Sequence, residues 1–437
     1  MTVPTGSPGN RLDPYVDSYA SRTRGMTASE IRALFAVASR PEVVSLAGGM
    51  PNLAALPLDA VGAMIARLVA GQGTAALQYS SAQGDPRLRS RICDVMSLEG
   101  IHGDPDDIVV TVGSQQALDL VTRVFCDPGD VVLTEAPSYV GALGVFSSYQ
   151  VEVVQVPLDP DGLAPAALRE ALDRLRRAGR RAKFLYTIPN FHNPAGVTLS
   201  ASRRPEIMEI AAQGDLLVVE DNPYGLLGFD GDPVPALHTF DPKRVLYLGT
   251  FSKTFAPGLR VGWVLAPGAV RSKLVLANEA ATLCPPTFSQ FIVAEYLASQ
   301  PWFEQVKTFR EIYRERRDAT LDALSQLMPA GVTWTRPAGG FYVWVSLPAG
   351  LDAKAMLPRA IADRVAYVPG TGFYANGEGA GHLRLSYCFP EPDRIREGIR
   401  RLAGVLEAEL DLRATFGATP VRPDPGSRAE GPGPDLI

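Results

Sequence analysis

The stretch VLYLGTFSKTFAPGLR, residues 245–260, decides how this chain folds. Its opening residues, Val245 to Leu248, are apolar without alternation, as in a strand covered on both faces. Turn and hydroxyl residues follow, with Lys253 among them and Arg260 seven positions further on. Six other apolar runs bounded by turn residues surround this one: Ile108-Val112, Val131-Thr134, Val151-Val156, Phe184-Ile188, Leu216-Val219 and Val261-Leu265. Helix-period segments such as Gln115-Phe125, Pro165-Arg177 and Ser202-Ala212 lie between them. That alternation predicts an α/β fold with a mostly parallel seven-stranded sheet.

The pattern changes near Ala277. A long helical region (Phe288-Leu297, then Trp302-Leu327) leads to a strand pair at Thr333-Trp334 and Phe341-Val345, a helix, and a closing strand at Leu383-Tyr387. Elements that do not alternate strictly predict a second, smaller α+β domain, on which an N-terminal helix Ser29-Ser39 would pack. The expected division is an arm at 1–26, a small domain from 27–45 and 301–412, a large domain at 46–300, and a flexible tail at 413–437 rich in Pro, Gly, Arg and Asp.

With 437 residues and a net charge of -5, the chain is a large globular protein whose sign disfavours nucleic acid as a partner. No apolar run approaches the roughly 18 residues of a membrane span, and Met1 to Asp17 lacks a signal-peptide pattern, so a cytoplasmic location is expected. Cys93, Cys126, Cys284 and Cys388 show no paired spacing and are expected as buried, reduced thiols. His102, His192, His238 and His382 are equally dispersed, and no metal is expected.

The chemistry gathers where strands end. Lysine is scarce, with six in the chain, and Lys253 stands between hydroxyl and aromatic residues after an apolar strand. Partial desolvation there would favour the neutral amine that forms Schiff bases; for an isolated Ser-Lys pair, a solvated loop is the simpler account. Strand Leu216-Val219 runs into Glu220-Asp221-Asn222-Pro223-Tyr224, where a buried carboxylate could hold a pyridinium nitrogen protonated. Strand Phe184-Ile188 runs into Pro189-Asn190-Phe191-His192-Asn193-Pro194-Ala195-Gly196, and Ile108-Val112 into Gly113-Ser114-Gln115-Gln116 at a helix start, which suits a phosphate.

On these motifs, together with Ser45-Pro51, Gln78-Tyr79, Glu135-Tyr139 and Leu383-Tyr387, the chain from about Thr27 to Leu412 resembles the fold type I pyridoxal-phosphate enzymes of aminotransferase class I/II. It is most similar to the 2-aminoadipate/kynurenine subgroup. The resemblance implies pyridoxal 5'-phosphate as cofactor and a homodimer with shared active sites. Lys253 would carry the cofactor covalently and then move the substrate's α-proton, Asp221 would pair with the pyridine nitrogen, and Asn193 and Tyr224 would bond the ring 3-oxygen. Tyr139 would stack on the ring. Ser114, Gln115, Thr250, Ser252 and Arg260 would hold the phosphate, joined by Tyr79 of the neighbouring subunit. Arg384, assisted by Asn193, would take the substrate carboxylate, while Gly49 and Arg32 would lie over the substrate.

The implied reaction is amino-group exchange between an L-amino acid and a 2-oxo acid, with 2-oxoglutarate and glutamate as one pair. Alternatives are a pyridoxal-phosphate enzyme of another reaction type (β-decarboxylase, lyase or oxidase) and an aminotransferase-like ligand sensor. An Arg384 salt link counts against α-decarboxylation, and the short stretch before Thr27 together with the acidic charge counts against a DNA-binding sensor. His192 stands where the subgroup more often has glutamine, either tuning substrate choice or filling space.

Overall fold

A computed structural model describes residues 13, 15–25, 40–231 and 233–416. Its main sheet has eight strands, in the order Ile108–Thr111, Gly262–Leu265, Val245–Thr250, Leu217–Asp221, Ala182–Thr187, Val131–Ala136, Glu152–Asp159 and Gly162–Leu163. From Val245–Thr250 to Glu152–Asp159 all neighbours are parallel, while Gly262–Leu265 runs antiparallel to both its partners. The expected seven strands are therefore present. The eighth is a two-residue return turned by Gly162 (φ 91°), too short to carry an apolar pattern.

Continuous apolar runs are explained by the sheet's two covered faces. Alternate residues Val132, Phe184, Tyr186, Val219, Leu246 and Leu248 join one buried cluster with the helix Gly113–Phe125. Their neighbours Val131, Leu133, Leu185, Val218 and Val245 join another with the helices Pro165–Arg177 and Arg203–Gln213.

The helices Gly268–Thr282, Thr287–Ser299 and Trp302–Leu327 lead to a four-stranded antiparallel-paired sheet, ordered Thr333–Trp334, Tyr342–Ser346, His382–Ser386, Val368–Pro369. Val44–Ser45 pairs in parallel with Val365–Ala366, which ties the early chain to this late region. The last helix, Pro392–Phe416, extends past the tail boundary expected at 413. Leu402 and Leu406 are buried on its inner face, Glu409 meets Arg359 at 2.9 Å, and beyond them Arg413 lies against Gly350, so tertiary contacts continue a helix that composition would end. The expected helix Ser29-Ser39, with Arg32, lies outside the described residues. All four cysteines are free, although only Cys126 and Cys388 are buried; Cys93 and Cys284 are partly exposed on helical surfaces and turns. Among the described residues no helix is long and apolar enough to cross a membrane.

Candidate active site

The carboxyl ends of the parallel strands open on a cavity of about 270 Å³, closed on its far side by Tyr342 and Arg384 of the four-stranded sheet. Twelve of the residues singled out in the sequence line it: Gly49, Ser114, Gln115, Tyr139, Asn193, Asp221, Tyr224, Thr250, Ser252, Lys253, Arg260 and Arg384.

Lys253 follows the strand Val245–Thr250, and its Nζ donates to the Gly49 carbonyl at 2.9 Å. Burial lowers its pKa to about 8, with the cations Arg384 and Arg260 adding to the effect and Cys388 opposing it. A usable fraction of neutral amine therefore exists near physiological pH. Asp221 closes the strand Leu217–Asp221 and is 5% exposed. Its Oδ2 accepts from the Tyr186 hydroxyl at 2.7 Å, but its Oδ1 is buried without a partner. Burial raises its pKa to about 6, and the Tyr186 bond moderates the rise. An orphaned carboxylate oxygen in a cavity wall lacks a cation or an N–H donor.

At one end of the cavity, Gly113 (φ 75°) turns the strand Ile108–Thr111 directly into the helix Gly113–Phe125. The positive backbone angle favours glycine at 113, and the absence of a Cβ lets the movable Arg260 guanidinium lie against this turn. Arg260 Nη1 reaches Ser252 Oγ at 3.3 Å and Nη2 the Val112 carbonyl at 3.2 Å, while Thr250 Oγ1 lies 2.9 Å from Ser252 Oγ. Gln115 is used differently from its expected role: its amide donates to the Gly141 carbonyl at 3.0 Å and accepts from Tyr139 at 3.2 Å. What it offers an anion is its position at the helix start, and its side chain fixes Tyr139.

At the other end Arg384 is 2% exposed. Nη1 donates to Asn193 Oδ1 and Nη2 to the Ala47 carbonyl, each at 2.8 Å, and Nε is buried without a partner. Its guanidinium carbon lies 4.1 Å from the Tyr342 ring centroid and 5.2 Å from that of Phe373. Beneath Asn193, the His192 ring fills a buried gap: Nδ1 accepts from the Ala195 N–H at 3.2 Å, and Nε2 lies 3.0 Å from Glu135 Oε2, though not aligned as a hydrogen bond. Glu135 also accepts from Thr187 Oγ1 at 2.6 Å and the Ile188 N–H at 2.9 Å. His192 thus braces the loop that presents Asn193 and does not line the cavity.

Sequence reasoning missed Tyr342, Met50 and the Glu135–His192 couple as parts of the site and its support. Tyr342 opens a strand after Gly339-Gly340-Phe341, a context that marks a close backbone approach but not a cavity wall. Tyr79 does not line its own chain's cavity and is 75% exposed. The residues present fit pyridoxal phosphate: the orphaned Asp221 oxygen suits a pyridinium N–H, the desolvated lysine an aldehyde, and the Gly113–Arg260 turn a phosphate.

Comparison with known proteins bears on the same region. Residues 41–402 match the family model described as aminotransferase class I and II. The chain is 42% identical over 398 residues to an aromatic-amino-acid aminotransferase of Thermococcus litoralis, covering 91% of this chain and 95% of the relative. The crystal structure of a multiple substrate aminotransferase from Thermococcus profundus superposes with a TM-score of 0.87 at 39% identity, covering 92% of this chain and 100% of the other. An alpha-aminoadipate aminotransferase from Thermus thermophilus, solved with N-(5'-phosphopyridoxyl)-L-leucine, superposes at 0.85 with 37% identity over 91% and 99% of the two chains.

Proposed function

This chain belongs to the class I and II aminotransferases, and from that premise we propose how its own residues divide the work. It is a pyridoxal 5'-phosphate-dependent enzyme that exchanges an amino group between an L-amino acid and a 2-oxo acid. The observation that carries the division of roles is the pairing, in one cavity, of a carboxylate with an unpartnered oxygen and a desolvated lysine.

Bound there, pyridoxal phosphate supplies an aldehyde that condenses with amines and a ring that accepts the charge of an α-carbanion. Lys253 would anchor the cofactor, and its Nζ would take the proton from the substrate's α-carbon and return it to the bound cofactor–substrate pair. Asp221, with its unpartnered Oδ1, would keep a proton on the ring nitrogen. Its burial makes an isolated charge there costly, so a cationic partner is strongly favoured. Tyr224 and Asn193 would bond the ring 3-oxygen, Tyr139 would cover the ring, and Ser114, Gln115, Thr250, Ser252 and Arg260 would hold the phosphate. Arg384 takes the substrate carboxylate, with Asn193 orienting its fork and Gly49 leaving room above.

The acceptor in our reading is 2-oxoglutarate, giving glutamate, and the donor range is broad, in keeping with relatives named for aromatic, multiple and aminoadipate substrates. We further assign a homodimer in which Tyr79 completes the partner's phosphate site. The exposure of Leu77 (72%) and Tyr79 (75%) leaves this segment free to meet a partner. The four free thiols suit the reducing cytoplasm, which we assign as the compartment. The test is a panel of amino acids added singly to the purified holoenzyme, watching the bound cofactor's absorbance pass from the aldehyde to the amine form and return with 2-oxoglutarate. A cofactor that stays in the aldehyde form with every amino acid would overturn the reading.

A further inference from the structure

Two phenols face each other across the cavity wall. Tyr224 is 2% exposed and Tyr342 is 3% exposed. Their rings meet edge to face, with centroids 6.0 Å apart and planes at 88°. The Tyr224 hydroxyl donates to the Tyr342 hydroxyl at 3.4 Å, long for an O–H···O bond. Two hydroxyl protons thus share a single weak contact, so one is left for an acceptor in the cavity. Tyr342 cannot swing away to find another partner. Its hydroxyl abuts Gly49, where a Cβ would overlap it, and its ring lies beneath the Arg384 guanidinium, 4.1 Å from centroid to carbon.

We propose that Tyr342 is a positioning residue serving both halves of the site: its ring fixes the plane of Arg384, and its hydroxyl, which accepts from Tyr224 in this structure, turns to donate to the Tyr224 oxygen once Tyr224 turns its own proton to an acceptor in the cavity, so that Tyr224 donates more strongly there. The inference rests on the reading above in which Tyr224 faces the cofactor's 3-oxygen. A donor to a phenol oxygen polarises that phenol's own O–H and strengthens the next bond in the chain. Stronger donation stabilises the 3-oxygen as an anion, so the bound cofactor releases its titratable proton at a lower pH. Other groups facing the pair come from several elements. Arg384 lies on the ring of Tyr342 from the strand His382–Ser386, with Tyr387 and Cys388 just beyond that strand. Tyr139 approaches from the start of the helix Val140–Ser148, and Lys253 is held opposite on the Gly49 carbonyl. None of these supplies a hydroxyl to Tyr224, so the Tyr342 oxygen can be removed while they stay in place.

The experiment is a pH titration of the visible absorbance of the holoenzyme, without substrate, for the wild type, Tyr342→Phe, Tyr224→Phe and the double variant. Tyr342→Phe, which loses one oxygen and keeps the ring, should raise the midpoint by roughly half a pH unit. Tyr224→Phe should raise it further, and adding Tyr342→Phe to it should change nothing more. Tyr342→Leu, which also removes the ring, should raise the amino-acid KM severalfold above that of Tyr342→Phe. An unshifted midpoint in Tyr342→Phe overturns the proposal, as does a shift that persists when Tyr224 is already gone. An unshifted midpoint in Tyr224→Phe instead overturns the placement of Tyr224 on the 3-oxygen, and a wild type that forms no absorbing complex overturns the cofactor reading itself.

Discussion

Arg260 and Arg384 sit at opposite ends of one cavity and are built in opposite ways. Arg260 follows the lysine within a single loop, is exposed, and adopts a left-handed backbone (φ 54°). Its contacts to Ser252, Val112 and Pro257, at 3.2 to 3.3 Å, are long. Arg384 is buried, bonded twice at 2.8 Å, and held between the Tyr342 and Phe373 rings. A solvated, loosely held cation can close around a dianion and be screened by salt. A buried and prearranged cation binds a carboxylate with little reorganisation, and leaves a costly gap if removed. The difference suggests that the cofactor end is tuned for retention and the substrate end for orientation.

The comparison turns on Lys253 lying between the two arginines, and its loss should have the largest effect. Lys253→Ala should reduce transamination by at least about 10³-fold. The same variant should still bind cofactor non-covalently through the Arg260 end, which equilibrium dialysis would show. Failure to retain any cofactor would mean that the loop end does not hold it without the covalent link.

Next in size, Arg384→Ala should lower kcat/KM for amino acids by roughly 10²-fold, since it removes a charge-assisted fork and strips Asn193 Oδ1 of its donor. Steady-state kinetics at saturating cofactor would measure it, and cofactor affinity should hardly change. Arg260→Ala should show the reverse: about a tenfold weaker cofactor affinity, with the loss shrinking as salt is raised, because the exposed charge is screened in the wild type. Equal salt sensitivity in the two variants would erase the contrast.

The smallest expected effect is on stability. Asp221 titrates near 6 in the fold, against roughly 3.9 in an unfolded chain, so the folded state holds the extra proton between those values. Apoprotein stability should therefore fall as pH rises through that window. Asp221→Asn lacks this slope, and its apo form should match the wild type near pH 4 and exceed it by on the order of 2 kcal/mol at pH 7. With cofactor bound, the order should reverse, because the carboxylate then has its cation. Thermal melts of apo and holo forms at the two pH values would check both signs.

Residues near one another in the chain were legible before any coordinates. The strand ending in Glu220-Asp221 and the loop from Thr250 to Arg260 each carry their chemistry within one apolar run and the turn after it, so placing the strand places the group. The helix Pro86–Ser97 also carried a local signal that went unread, Asp85 before Pro86, whose carboxylate caps the N–H groups of Arg87 and Leu88. Tyr342 had no such signal, since its partners Arg384, Tyr224 and Gly49 come from distant segments.

What the amino-acid sequence determined by itself was the covered sheet and the lysine and carboxylate at its carboxyl edge, because apolar periodicity and turn chemistry act over a few residues, while the family was legible through the resemblance of its ordered motifs. Only the tertiary structure decided that Arg384 would meet Asn193, 191 positions away, and the Ala47 carbonyl, 337 away. It also decided that Gln115 would hold Tyr139 with its side chain, and that His192 would brace a loop against Glu135. Each of these pairings satisfies or shelters a buried polar group, and which groups become buried together is settled by how the sheets and helices close on one another, not by any stretch of chain alone.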